Sequence, residues 1–167
     1  MIEGRCWLFG DDINTDVMMP GDVLYSSEAA QTKALFRDVR PRWLDEIGPG
    51  DILIAGRNFG LGSSRPAARS LVNVGISLLI AESISSLFFR GCVSYGLAAM
   101  TCPGITEHAR EGDVLRADPR TGDVLNITTG TAISGHAVPT DLLATMRAGG
   151  TLPMLEARGL ISPPATP

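Results

Sequence analysis

The sequence predicts a mixed three-layer α/β domain. Three observations carry that prediction. Between residues 51 and 101, short apolar runs alternate with helix-patterned segments, which is the order strand–helix–strand–helix–strand of parallel α/β units. The stretch "DVLRADPRTGDVLNIT" then reads as a hairpin, two strands around a Pro/Gly turn. The chain of 167 residues is 44% hydrophobic and 19% charged, enough for one ordinary core and unlike a disordered chain.

Each element has a local reason. Residues 3–9 read as a strand, followed by a long polar loop over 10–26. Residues 27–38 carry a helical pattern, and "RPRWLDEIGPG" reads as a loop, with Trp43 as a core or interface anchor like Trp7. "DILIA" (51–55) is an apolar strand. Residues 64–74 form the next helix, with Ala67/Leu71 and Ala68/Val72 on one face and Gly75 as its stop. "SLLIA" (77–81) is a buried strand, and Ser83 is placed to cap a helix ending near Gly96. "LAAM" is a short strand, and helices are expected over 141–147 and 154–158. The tetrapeptide GDVL or GDIL recurs at Gly21, Gly50, Gly112 and Gly122 with irregular spacing. This is a turn that launches a strand at the last three places, not a repeat architecture. The domain is expected to span residues 1–161, with 162–167 a flexible tail.

Composition excludes several classes. A net charge of −4 with scattered basic residues argues against nucleic acid or acidic lipid as a partner. No apolar run approaches the roughly 20 residues of a membrane span. The start "MIEGRCWLFGDD" has no apolar signal region. Three cysteines without a C-x-x-C pattern argue for a reducing compartment, here the cytoplasm, and against an iron–sulfur cluster held by this chain.

Two polar loops carry the chemistry. In "GRNFGLGSSRPAARSL" (Gly56–Leu71), glycines, two serines and an arginine stand at the junction of a strand and a helix. Helix starts attract anions, and arginine offers a fork for a carboxylate or phosphate. The dinucleotide fingerprint fails, because Gly60-x-Gly62 is followed by Arg65, and the G-K-[ST] of a P-loop is absent. A capped helix with a solvent-facing arginine is the plain alternative. "FGDDINTDVMMP" gathers Asp11, Asp12 and Asp16 with Asn14 and Thr15, but lacks the calcium-loop pattern; solvated turn residues are the plain alternative there.

Together, "GDDINTDVMMP" and "AGRNFGLGSSR" resemble the paired signatures of the 3-isopropylmalate dehydratase (isopropylmalate isomerase) small subunits. These are the separate-chain form of the aconitase swivelling domain. "ESISSLFFRGCVSYGLAAM" resembles the family's following helix–turn–strand, and the resemblance runs from about Gly4 to Ile161.

The resemblance implies a three-layer β/β/α swivelling domain, as in the aconitase C-terminal domain. It implies a hydro-lyase active only with a large subunit, which carries the four-iron–four-sulfur cluster as a Lewis acid, so that this chain binds no cofactor. The implied substrate is 2-isopropylmalate/3-isopropylmalate, in leucine biosynthesis. Ser63 is the implied base that takes the proton from carbon, with Ser64 beside it, Gly62 in the site and Arg65 clamping a carboxylate. Asp16, with Thr15 beside it, faces the partner's acid–base group. The loop "PGDVLYSSEAA" sets substrate choice; Leu24 and Tyr25 offer no cation there, which favours an alkyl branch. The chain reads "GLGSSRPA" where the family reads G-C-G-S-S-R-E-H, so Leu61, Pro66 and Ala67 depart from the pattern. Proline can still start the helix. The alternatives are a dehydratase of another substituted malate, such as dimethylmalate, citramalate or homoaconitate, and a non-catalytic anion-binding module of the same fold.

Overall fold

The computed structural model describes residues 1–163. Residues 164–167, most of the expected tail, lie outside the described residues. The chain opens with β1 (Ile2–Leu8), then α1 (Thr15–Met18), α2 (Glu28–Lys33) and α3 (Trp43–Glu46). The parallel units follow as β2 (Ile52–Ala55), α4 (Ala67–Asn73), β3 (Leu78–Ala81), α5 (Ser86–Tyr95) and β4 (Ala99–Thr101). The rest comprises α6 (Ile105–His108), β5 (Val114–Asp118), β6 (Asp123–Asn126), β7 (Thr131–Ser134), α7 (Thr140–Arg147) and α8 (Thr151–Ala157).

The strands form one hydrogen-bonded sheet in the order β4-β3-β2-β1-β5-β6-β7. Strand β1 is its hinge. Residues Cys6–Leu8 pair in parallel with Ile52–Ile54 of β2, whereas Ile2–Arg5 pair antiparallel with β5. The parallel half, β1 to β4, carries β2 and β3 buried on both faces, which explains their unbroken apolar sequences. Helices α2, α4, α5, α7 and α8 pack in series as one layer. The antiparallel half curls back, so that α6 touches β2, β3 and also β7. Beyond β7, the His136 N–H donates to the Thr101 carbonyl of β4 at 2.8 Å, bringing the two outer strands together. The layers are helix, sheet and sheet, the three-layer β/β/α swivelling fold. Among the described residues no helix is long and apolar enough to cross a membrane.

Core packing explains where local pattern misled. Trp7, Phe9, Phe36 and Trp43 form an aromatic cluster with centroid spacings of 4.4–6.3 Å. Both tryptophans are core residues, and burying Trp43 folds α3 out of a segment expected as a loop. The helix expected over 27–38 stops at Lys33, because Phe36 turns back with φ 57° to reach that cluster. The next helix begins at Ala67 rather than 64; Pro66 precedes it and no side chain caps it. Ser85, not Ser83, caps α5; the Ser83 hydroxyl accepts the Asn58 N–H at 2.8 Å. The last helix starts at Thr151, three residues before the expected 154. Helices α1 and α6 and strand β7 had no expected counterpart.

The GDVL/GDIL turns behave as their surroundings dictate. Strands begin just after Gly50 and Gly112, where Asp51 and Asp113 accept the N–H three residues back, at 2.9 Å each. Gly122 also precedes a strand, whereas Gly21 opens a 3-10 turn.

Candidate functional site

The two polar loops leave β1 and β2 side by side, at the carboxyl ends of neighbouring parallel strands. They continue the strand pairing as a zipper. Gly56 N–H donates to Gly10 O at 3.1 Å, Asp12 N–H to Arg57 O at 2.8 Å, Gly60 N–H to Ile13 O at 2.7 Å and Thr15 N–H to Leu61 O at 2.8 Å. Side chains cross-strap them. Asp11 accepts the Arg57 N–H at 2.7 Å and its guanidinium at 3.0 Å, and Asn58 donates to Asp12 at 2.8 Å. The two arginine N–H groups beside it hold the Asp11 carboxyl below the usual carboxylate range. Asp12 and Asn58 both take positive φ, 58° and 60°, a conformation these two residue types tolerate.

Two glycines let the second loop fit. At Gly60 (φ 80°) a Cβ would lie 2.3 Å from Phe88, and at Gly62 (φ 104°) it would lie 2.9 Å from the Thr15 hydroxyl. That hydroxyl is buried under the loop and has no hydrogen-bond partner among the described residues, and Thr15 is only 2% exposed.

This framework brings Asp16, Ser63 and Arg65 together. Asn14 caps α1, accepting the Val17 N–H at 2.9 Å, which places Asp16 in the first turn. Arg65 then engages three partners. Its Nη2 pairs with Asp16, its Nη1 donates to the Met19 carbonyl, and its Nε donates to the Ser63 hydroxyl at 3.2 Å. The Arg65 side chain is 14% exposed, whereas Asp16 is 68% exposed. The guanidinium is therefore built into the fold and its carboxylate partner is free to leave it.

A pocket of about 180 Å³ opens here, lined by Thr15, Ser63, Ser64 and Arg65 and walled by Arg69 of α4 and Phe88 of α5. Ser63 and Ser64 are exposed and stand ahead of α4 rather than in its first turn. The serines therefore do not sit in the first turn of α4, and the charge beside Ser63 is the Arg65 guanidinium. Leu24 and Tyr25 do not line this pocket; Tyr25 is 96% exposed. The sequence reading missed Arg69, Phe88 and Tyr95 as pocket residues. A signal existed, since Arg69 follows Arg65 by four, the spacing of one helix face.

The cysteines do not enter the site. Cys6, Cys92 and Cys102 are buried and free. Burial pushes the thiols of Cys6 and Cys102 up to about 11, and that of Cys92 higher still. Among the described residues no three His, Cys, Asp or Glu side chains come together as metal ligands. Among the described residues the three buried thiols offer no cysteine set that fits an iron–sulfur cluster.

Known proteins resemble this chain over most of its length. The model of the aconitase C-terminal domain matches residues 14–103, which contain the second loop whole and the first from Asn14 onward. The chain is 36% identical to an isopropylmalate/citramalate isomerase small subunit of Methanocaldococcus jannaschii, over 95% of each chain. It is 37% identical to a 3-isopropylmalate dehydratase small subunit of Methanosarcina acetivorans, over 96% of this chain and 99% of that one. A crystal structure of a 3-isopropylmalate dehydratase from Methanocaldococcus jannaschii superposes with a TM-score of 0.87 at 27% identity, covering 95% of both chains. With its paired loops, its three layers and these relatives, the chain belongs to the family of 3-isopropylmalate dehydratase small subunits, built on the aconitase C-terminal domain.

Proposed function

We propose that this chain is the small subunit of a hydro-lyase that interconverts 2-isopropylmalate and 3-isopropylmalate in leucine biosynthesis. The observation that carries the reading is one side chain, Arg65, bonded at once to Ser63 and Asp16 at a pocket formed by both signature loops. The relatives' names support it. They also support a large partner subunit, to which we assign the four-iron–four-sulfur cluster, since the thiols here do not fit one. Three free, buried thiols support a cytoplasmic setting.

In this reading Ser63 is the base. A serine hydroxyl is far too weak an acid to ionise alone, and needs fixed positive charge beside it. The Arg65 Nε–H supplies that charge from a nearly buried guanidinium. The Ser63 alkoxide takes the proton from the substrate carbon, the electron pair of that C–H bond forms the double bond, and hydroxide leaves on the partner's side. In the rehydration, hydroxide adds to the carbon that lost the proton, and the Ser63 hydroxyl returns its proton to the carbon that lost hydroxide, which leaves the alkoxide as before. Arg65 exchanges Asp16 for a substrate carboxylate, and Asp16, released, faces the partner's acid–base group. Ser64 and Thr15 complete the wall, Gly62 keeps the loop close against Thr15, and Leu24 and Tyr25, outside this pocket, are assigned the alkyl branch where the partner closes over it. Pro66 and Ala67 leave α4 intact, which supports an unaltered site despite the missing Glu-His.

The test is anaerobic co-expression with the large subunit encoded by the same cell, followed by hydration assays on unsaturated dicarboxylic acids. The expected result is activity with the isopropylmalate pair that Ser63→Ala lowers by about 10²–10⁴, the usual worth of a positioned base. Full activity in Ser63→Ala removes Ser63 from the mechanism. Preference for citrate or homocitrate over every alkylmalate refutes the substrate.

A further inference from the structure

Arg69 has no part in the chemistry above, yet it lines the same pocket as Ser63 and Arg65. Its guanidinium is held on three sides. Nη2 donates to Gln31 Oε1 at 2.8 Å, Nη1 lies 3.4 Å from Glu28, and the central carbon sits over the Tyr95 ring, 5.6 Å from its centroid. Gln31 is itself 5% exposed. Its amide nitrogen donates to the carbonyls of Leu24 at 2.8 Å and Ser26 at 3.3 Å. Both amide hydrogens of Gln31 are thereby used, and its oxygen serves Arg69. The buried Gln31 and the half-buried Arg69 together join the pocket wall on α4 to the backbone on either side of Tyr25.

We propose that Gln31 and Arg69 are positioning residues for substrate choice. They hold the Leu24–Ser26 loop at a fixed place relative to the pocket, so that the alkyl end of the substrate meets a fixed surface. The proposal rests on the reading of this pocket as the substrate site and of Leu24 and Tyr25 as its selective surface. Gln31, buried and with its donors and acceptor all engaged, fixes geometry as well as adding stability; among the described residues the Arg69 Nε has no partner. The structure also supplies a control. Asn73 joins the same two helices, donating to Glu28 at 2.7 Å and Thr32 at 3.2 Å, without bonding to the loop.

The experiment uses the complex with the large subunit. It measures kcat and KM for 2-isopropylmalate and for citramalate, which carries a methyl in place of the isopropyl group. The variants are Gln31→Glu, Arg69→Met, the two combined, and Asn73→Ala. Gln31→Glu keeps an acceptor for Arg69 and removes both donors to the loop. In Gln31→Glu and in Arg69→Met the ratio of kcat/KM for the two acids shifts by about tenfold, the scale of one misplaced methylene contact, with the larger share in KM. The double variant shifts no further than the larger single change, because both residues act through one link. Asn73→Ala lowers the melting temperature and leaves the ratio alone. An unchanged ratio in Gln31→Glu and Arg69→Met, or an equal shift in Asn73→Ala, overturns the proposal and reduces the couple to a helix fastener. Should Arg69→Met fail to fold, Arg69→Lys keeps the charge, loses the fork and carries the same expectation. A wild-type complex that turns over neither acid refutes the functional reading itself, and this proposal falls with it.

Discussion

Replacing Arg65 by lysine separates the structural work of that side chain from its chemical work. Arg65 spends Nη1 on the Met19 carbonyl, Nη2 on Asp16 and Nε on Ser63. A lysine ammonium is a compact point charge and cannot reproduce a planar fork on three partners. The Met19 contact comes from a charged donor that is only 14% exposed, so its loss costs about 1.5–3 kcal/mol. The Asp16 contact is an ion pair to an exposed carboxylate and contributes about 0–1 kcal/mol. The sum of about 1.5–4 kcal/mol corresponds to a fall in Tm of about 3–16 °C for a domain of this size. Catalysis loses the donor on Ser63, and one such preorganised donor is worth about 10²–10³ in kcat. Calorimetry of the isolated chain reads the first quantity, and kcat in the reconstituted complex reads the second. A variant with normal Tm and kcat within about threefold of wild type, far short of that donor's worth, would show that Arg65 is neither built into the fold nor supporting the base.

Three further expectations follow from the same structure. Gly60→Ala forces a side chain into Phe88 at positive φ, so it costs about 3 kcal/mol or more and exceeds Gly62→Ala, where the obstacle is a single hydroxyl; urea midpoints of the two variants rank them. Burial alone would raise the Asp51 carboxyl, but the Gly48 N–H, the Trp7 indole and Arg5 together hold it below its ordinary 3.8. Its contribution is therefore present above the unfolded pKa and is lost as pH falls through the lower folded value. Asp51→Asn keeps an acceptor for those donors but not the charge, costs about 1–2 kcal/mol at pH 7, and flattens the acid side of a Tm-against-pH curve. The buried thiols, with Cys6 and Cys102 pushed up to about 11, resist iodoacetamide at pH 8 in the native chain, and all three label in denaturant, as counted by mass spectrometry.

Much of the architecture was legible in sequence because it rests on local rules. The alternation around β2, α4, β3, α5 and β4 follows from apolar runs separated by helical patterns, and those runs are apolar because both faces of the sheet are covered. The signature loops were legible as a pair, through their resemblance to a known family, since the glycines, serines and arginine of the second loop alone left a plain capped helix open. The repeated GDVL/GDIL turns were recognisable as strand launchers where an aspartate could accept a nearby N–H.

Long-range packing decided the rest. Trp43 becomes helical, and Phe36 ends α2 early, because four aromatic rings meet across distant segments. Strand β7 pairs only because β6 is already in place, and no period in its own four residues announces it. The sequence by itself determined which residues could do chemistry. It could not determine that Arg65 would reach from α4's approach to Met19 and Asp16, or that Gln31 would tie Arg69 to the loop at Tyr25. The Arg65–Met19 and Arg69–Gln31 contacts join residues 46 and 38 positions apart. They exist only once the parallel register of β1 and β2 has brought the two loops into line.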